Sequence, residues 1–324
     1  MLFLATAAIA ALVACAVVGS TAARAVRLMH PARAVVVISV AAFSTSLAAG
    51  IALSAIAVAA LAGLTAVAGR GEWSAIALRA ALPVPYWFGG LAAAIVLILL
   101  LRAVARTVGI AVELIRAERL CRDLRNGGPI VIVDDASADA YTIAGVRGCI
   151  VISQRLFDAL DDAQRRVLTA HELSHLHRRH HLYIHLVDLA ATANPLVRPA
   201  TRAIRFAVER WADEDAAAAL GDRRRTGRAL AEIALLRSRL TTASMTSPRR
   251  VAAAVPQLGV ATHHVVNRVQ ALFGPPRHSN RGATALAMLA AALILLLGIA
   301  SLWHVGEVIQ DATILLPRLH LHER

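Results

Sequence analysis

The sequence predicts a multi-pass α-helical membrane protein of about four transmembrane helices, interrupted by one inserted α+β domain. Three observations carry that reading. Hydrophobic residues make up 58% of the 324 and the mean hydropathy is +0.61, too apolar for a soluble chain of this length. Uncharged apolar stretches run over Leu2 to Ala23, Ala34 to Gly69, Ala80 to Leu101 and Gly282 to Trp303, each able to cover the roughly 20 residues a helix needs to cross a bilayer. Between the third and fourth lies a polar segment with short apolar runs and helical periodicity, long enough for one domain.

The first stretch reads as a retained anchor. Leu12-Val13-Ala14-Cys15 resembles a lipoprotein processing box, yet no positive charge precedes the apolar core and arginines follow it instead, the reverse of a secretory signal. The second stretch spans 36 residues, about 54 Å as a helix against roughly 30 Å of hydrocarbon. One long span or a tight hairpin around Ser44 to Gly50 would both accommodate it. Arg24, Arg27 and Arg33 crowd the connection after the first stretch, and Arg102 and Arg106 follow the third. The charge rule therefore places both on the cytoplasmic side, with the N-terminus outside. The resulting organisation is a three-span membrane region over 1–104, a cytoplasmic domain over 105–281, a fourth span over 282–303 and a short extracytoplasmic tail over 304–324.

From Arg102 to Arg281 there are 27 arginines against 17 acidic residues. Such a surplus attracts either nucleic acid or anionic lipid, and beside a membrane the lipid bilayer is the expected partner, with no direct nucleic-acid binding. All 34 basic residues are Arg, a bias that carries no mechanistic weight. Cys15, Cys121 and Cys149 are widely spaced and suggest neither a disulfide framework nor a cysteine-ligated metal.

Within the polar segment, a helix over Arg102 to Leu124 should continue the third span and stop at Asn126-Gly127-Gly128-Pro129. Ile130 to Val133, Tyr141 to Ala144 and Cys149 to Ser153 read as strands, the last two joined as a hairpin. Asp161 and Gln164 form a capping-box pattern for the next helix, which is expected to run on through Arg178-Arg179-His180-His181 toward Leu189. Further helices are expected over Thr201 to Leu220, closed by Gly221, and over Thr226 to Leu240. A mobile linker is expected over Thr241 to Pro256.

The capped helix carries Ala170-His171-Glu172-Leu173-Ser174-His175. With about 3.6 residues per turn, His171 and His175 project from one face and can grip one metal ion, Zn2+ being the expected cofactor, while Glu172 stands where it can polarise a metal-bound water. Open zinc sites usually take a third protein ligand. Glu209 and Asp213, four apart on the helix after Pro199, supply candidates: Glu209 as ligand and Asp213 as acceptor for a ligand imidazole. An acidic surface stripe paired with Arg205 and Arg210 is the alternative for these two. His177, His180, His181 and His185 read as solvated or headgroup-facing residues, and His263 or His264 could serve an oxyanion.

In order, the hairpin Ala140 to Ser153, Leu156 to Leu160, Arg166 to His175 and Glu209 to Asp213 resemble the pattern of membrane-bound gluzincins, and three spans before with one after is similar to the BlaR/MecR antirepressor metallopeptidase family. Val265 to Pro276 looks like that family's basic helix entering the membrane. The resemblance implies an inserted gluzincin-type zinc metallopeptidase domain with His171, His175 and Glu209 as zinc ligands, Glu172 as general base, Asp213 behind the ligands, and Tyr141, Thr142, Ile143 and Ala144 as the edge strand that aligns an extended peptide. It also implies a cytoplasmic protein substrate, a BlaI-type repressor, and signal transduction by proteolysis. Turnover of damaged membrane proteins by an HtpX-like enzyme and a catalytically silent scaffold with structural zinc are the competing expectations. Two departures stand out: only His304 to Arg324 follow the last span where BlaR-type receptors carry a penicillin-binding domain, and His180 stands near a position where many relatives have Asp.

Overall fold

The computed structural model describes residues 1–125, 128–135, 139–145, 147–244, 262–277 and 281–314. Helix α1 (Leu2–Leu28) and helix α2 (Pro31–Ala62) form an antiparallel pair joined at Met29 and His30, with Pro31 at the first turn of α2 where its missing N–H costs nothing. Of the two expected alternatives for 34–69, α2 is the single long helix, ending at Ala62, and there is no hairpin at Ser44 to Gly50. Alanine-rich sequence carries α2 straight through Gly50, and the chain turns only at Gly63. Two short helices, α3 (Thr65–Gly71) and α4 (Ala75–Ala81), lead to the long helix α5 (Tyr86–Leu124), which contains the third apolar stretch from Tyr86 on and the expected helix beyond it, the start of that stretch at Ala80 and Ala81 belonging to α4. Helix α12 (Arg281–Ile314) lies near the chain's other end. These four long helices, α1, α2, α5 and α12, are long and apolar enough to cross a membrane.

After α5 come strand β1 (Ile130–Val133), strand β2 (Ala140–Ile143) and strand β3 (Cys149–Ser153). The sheet order is β1-β3-β2, with β1 parallel and β2 antiparallel to β3. Ala144 lies just past β2. Because side chains alternate across a strand, Ala140, Ile150 and Ile152 enter one apolar cluster with Leu156, Leu168 and Ile233, whereas Tyr141, Ile143, Cys149 and Val151 pack with Cys121 and Leu124 at the end of α5. Cys121 and Cys149 are joined there as a disulfide, contrary to the expectation from their spacing. Twenty-eight residues separate them in sequence, and only the return of β3 beneath α5 brings them together.

Helix α6 (Gln154–Ala159) precedes α7 (Asp162–His177), whose start is a full capping box: Gln164 N–H donates to the Asp161 carboxylate and the Asp161 N–H donates to the Gln164 side chain. The helix does not continue toward Leu189. Arg179 adopts the left-handed conformation at φ 51° and ψ 46°, and a separate helix α8 (His180–Ala193) starts in a new direction. A non-glycine residue there is strained by about 1–2 kcal/mol. A 3-10 turn (Pro195–Val197) leads into α9 (Arg198–Leu220), capped by Gly221 at φ 73°. Helices α10 (Arg223–Ser244) and α11 (Thr262–Phe273) complete the segment. Thr241 to Ser244 are helical and the rest of the expected linker falls outside the described residues; of the expected tail, residues through Ile314 continue α12 and 315–324 fall outside them.

Two apolar clusters organise the long helices. Leu4 of α1, Ala59 of α2, Leu78 of α4 and Val305 and Ala312 of α12 gather at one end. At the other, Cys15, Val26, Val35 and Ile38 of α1 and α2 pack with Val187, Val197, Ile204, Val208 and Trp211. That core crosses the expected division at 104/105, since half of it comes from the spans and half from α8 and α9. Gly19 marks a close approach: a Cβ there would collide with the backbone oxygen of Leu196. Asn194 Nδ2 contacts Cys15 Sγ at 3.1 Å, and Arg210 Nη1 donates to the Val26 carbonyl at 3.1 Å, near the end of α1.

Candidate metal centre

Helices α7 and α9 pack side by side, and the capping box fixes where α7 begins. One turn of helix separates His171 from His175, and both are buried on the face toward α9. Their Nε2 atoms lie 3.2 Å apart. Glu209 enters from α9 with Oε2 at 3.7 Å from His171 Nε2 and Oε1 at 3.7 Å from His175 Nε2. These three residues offer ligand atoms within 4.8 Å of one another, all buried. Metal–donor bonds of about 2.0–2.1 Å in a tetrahedron put donors roughly 3.3 Å apart, and two imidazoles with one carboxylate are a donor set that zinc accepts. The residues therefore fit the ion.

Asp213 lies one turn beyond Glu209 and is 1% exposed. Its Oδ1 is 3.1 Å from His171 Nδ1, where it can fix the tautomer that leaves Nε2 free for a metal. Glu209 and Asp213 are thus buried, not part of an acidic surface stripe. The stripe belongs to their neighbours: Glu214 pairs with Arg223, and Asp215 accepts from Arg178 Nε at 2.9 Å and from Ser174 at 2.8 Å.

Glu172 is held from the sheet. Thr142 Oγ1 of β2 lies 2.8 Å from Glu172 Oε2 and 3.1 Å from the Glu172 carbonyl, so its single proton ties the edge strand to the carboxylate. Tyr141 and Ile143 face the other side of the sheet, toward α5. Among the described residues β2 has only β3 as a partner, leaving its outer edge available.

Two further groups belong to the site. Arg268 of α11 is buried, with Nε and Nη2 at 2.8 and 2.6 Å from the two Asp213 oxygens and Nη1 at 2.7 Å from Glu209 Oε2. The bidentate pairing matches guanidinium to carboxylate geometry. Its signal in the sequence is a lone arginine within Val265 to Phe273, a stretch whose other side chains are uncharged. His180, expected in solvent, is instead 1% exposed, with Nδ1 at 3.1 Å from His175 Nδ1 and its ring 4.7 Å from that of Trp211. Five residues along an unbroken helix would point it away from the His175 face. The turn at Arg179 brings it back. His181 and His185 lie beside one another on α8, and His177 is exposed. The side chains of His263 and His264 fall outside the described residues.

Electrostatics follow from this burial. Burial is the largest influence on Glu209 and Asp213 and would raise both carboxyls, but Arg268 and the adjacent histidines together outweigh it and lower both. Burial likewise opposes a proton on His171, yet Asp213 and Glu209 beside it raise its pKa to about 10 when no metal competes. Desolvation keeps His175 low, and pushes His180 down to about 2 with help from His175. His180 is therefore neutral, and one Nδ1 proton is shared between it and His175.

No curated protein and no solved structure matches the chain. Residues 119–194, which run from the end of α5 through the sheet, α7 and α8 and include His171, Glu172 and His175, match the model of Peptidase family M48.

Proposed function

We propose that the chain is a membrane-embedded zinc-dependent endopeptidase of the gluzincin type that cuts a cytoplasmic protein. The observation that carries this reading is the convergence of His171, His175 and Glu209 with Glu172 held beside them by Thr142, the two histidines, Glu172 and Thr142 lying within a segment that matches a peptidase family. Bound zinc would polarise the scissile carbonyl and acidify a water. Glu172 accepts the proton of the attacking water and delivers it to the leaving amine. Thr142 keeps that carboxylate oriented, and Asp213 and His180 fix the rings of His171 and His175. The open edge of β2, over Tyr141 to Ile143 and on into Ala144, pairs with an extended substrate backbone.

The arginines of the α1–α2 connection lie at the same end of the long helices as this site, which the charge rule puts in the cytoplasm. A BlaI-type repressor is then the proposed substrate, as in BlaR/MecR-type signalling. Turnover of membrane proteins is the second reading, favoured by one observation: the core behind the metal ligands is shared with α1 and α2. The test is a proteomic comparison of cells carrying wild type or Glu172→Gln, with zinc content measured on both proteins. Repressor fragments seen only with wild type support signalling, and fragments of many membrane proteins support turnover. Identical peptide patterns from two zinc-loaded proteins would refute the peptidase.

A further inference from the structure

A cavity of about 810 Å³ opens away from the metal ligands, between the end of α5, the β2–β3 connection and the α7–α8 break. Arg122 and Arg125 line it from α5 and its C-cap, Arg147 from the connection and Arg179 from the break, against one carboxylate, Glu118. The carboxylate is engaged, accepting from the Arg147 N–H at 3.1 Å. Arg125 is braced, with Nε donating to the Gly128 carbonyl at 3.1 Å and Nη1 to the Arg147 carbonyl at 2.8 Å. Arg122, Arg147 and Arg179 have no acidic partner among the described residues.

The walls are built to stay close. A Cβ on Gly145 would press on the Glu118 carboxylate, and one on Gly148 would press on Ile143 and Leu176. Arg179 is held in its strained left-handed conformation at the rim. Among the described residues no Phe, Tyr or Trp lines the cavity, whose cationic groups are arginines, and forked guanidinium groups suit tetrahedral oxyanions. The cavity lies at the end of α5, the same helix that is long and apolar enough in its other part to cross a membrane.

We propose that this cavity is a binding site for a phosphate-bearing anion. Occupancy would link α5, the hairpin and the C-terminal end of α7, with Leu176 and His177 in the wall directly after His175. The site shares no residue with the metal centre, so it stands or falls separately from the peptidase reading.

The probe is tripolyphosphate, titrated onto the full chain in phosphatidylcholine nanodiscs and read by thermophoresis. Saturable binding is expected, weakened at least tenfold by Arg122→Gln with Arg147→Gln and less than twofold by Arg225→Gln, an exposed arginine elsewhere. Equal thermal midpoints of the unliganded proteins check that the exposed substitutions leave the fold intact. Adding phosphatidylglycerol to the nanodisc identifies the source: competition in wild type that is lost in the double variant assigns the site to a headgroup, and no competition assigns it to a soluble phosphate compound. Absence of saturable binding, or equal weakening by Arg225→Gln, would overturn the proposal.

Discussion

Replacing Arg268 by Met tests the electrostatic account of the metal centre most directly. Arg268 makes three contacts of 2.6 to 2.8 Å with Asp213 and Glu209, and all three side chains are nearly sequestered from water. Methionine fills much of the volume but leaves two buried carboxylates with only the protonated His171 to balance them. Breaking a buried ion pair by removing one partner costs about 3–5 kcal/mol, and here one cation serves two anions. The loss should appear in full when a chelator is present. With zinc, Glu209 regains a cation, and the difference between variant and wild type should shrink to about half. The assay is denaturant unfolding of both proteins in the same detergent or nanodisc, with EDTA and with excess zinc. A loss below about 1 kcal/mol, or one indifferent to zinc, would refute the idea that Arg268 balances the carboxylates of the metal site.

Three further outcomes are expected. Thr142→Val removes the hydroxyl that holds Glu172, so peptidase activity should fall about tenfold while zinc stoichiometry, measured by atomic emission, stays at wild-type level. Gly19→Leu forces a side chain onto the Leu196 carbonyl and should destabilise the folded chain by roughly 1–3 kcal/mol or more, seen as a lower thermal midpoint in the same bilayer. Zinc affinity should rise with pH between about 6.5 and 10: without metal His171 keeps its proton up to about 10, and the ion must displace it. The same shift has a sign for the metal-free fold. Protonated His171 stabilises it fully below about 6.5, the unfolded value, and that contribution is lost as pH rises through about 10. Competition with a chromophoric chelator at several pH values reads the first effect, and a pH-independent affinity would contradict it.

Much of the site is legible in the sequence because helical spacing is local. His171 and His175 share a face by arithmetic alone, and Asp161 with Gln164 announces where their helix begins. Glu209 and Asp213 are one turn apart for the same reason, and knowing that a zinc ion needs a third ligand singles them out. What escapes is whatever depends on chain reversal. Arg179 carries no glycine signature for the left-handed turn, so α7 and α8 look like one helix and His180 looks solvated. Arg268 comes from α11, 55 residues beyond Asp213, and no periodicity links the two. Cys121 and Cys149 meet only because β3 runs in the middle of its sheet beneath α5. The close approach at Gly19 is equally silent, since a glycine in an alanine-rich span is unremarkable until the opposing backbone is placed.

The apolar core shared by α1, α2, α8 and α9 has a consequence for biosynthesis. Helices α1 and α2 leave the ribosome before α8 and α9, with Cys15, Val26, Val35 and Ile38 presenting a surface whose buried partners from α8 and α9 run as far as Trp211. At about 5–20 residues per second, the roughly 150 residues from the end of α2 to Trp211 take on the order of 8–30 seconds to emerge. During that interval lipid or the insertion machinery must cover the groove that α8 and α9 later occupy. Burial of this face of α1 and α2 and the meeting of the α7 and α9 metal ligands then become linked events. A nascent chain stalled before α9 would present an unfinished pair of spans to the membrane's own surveillance.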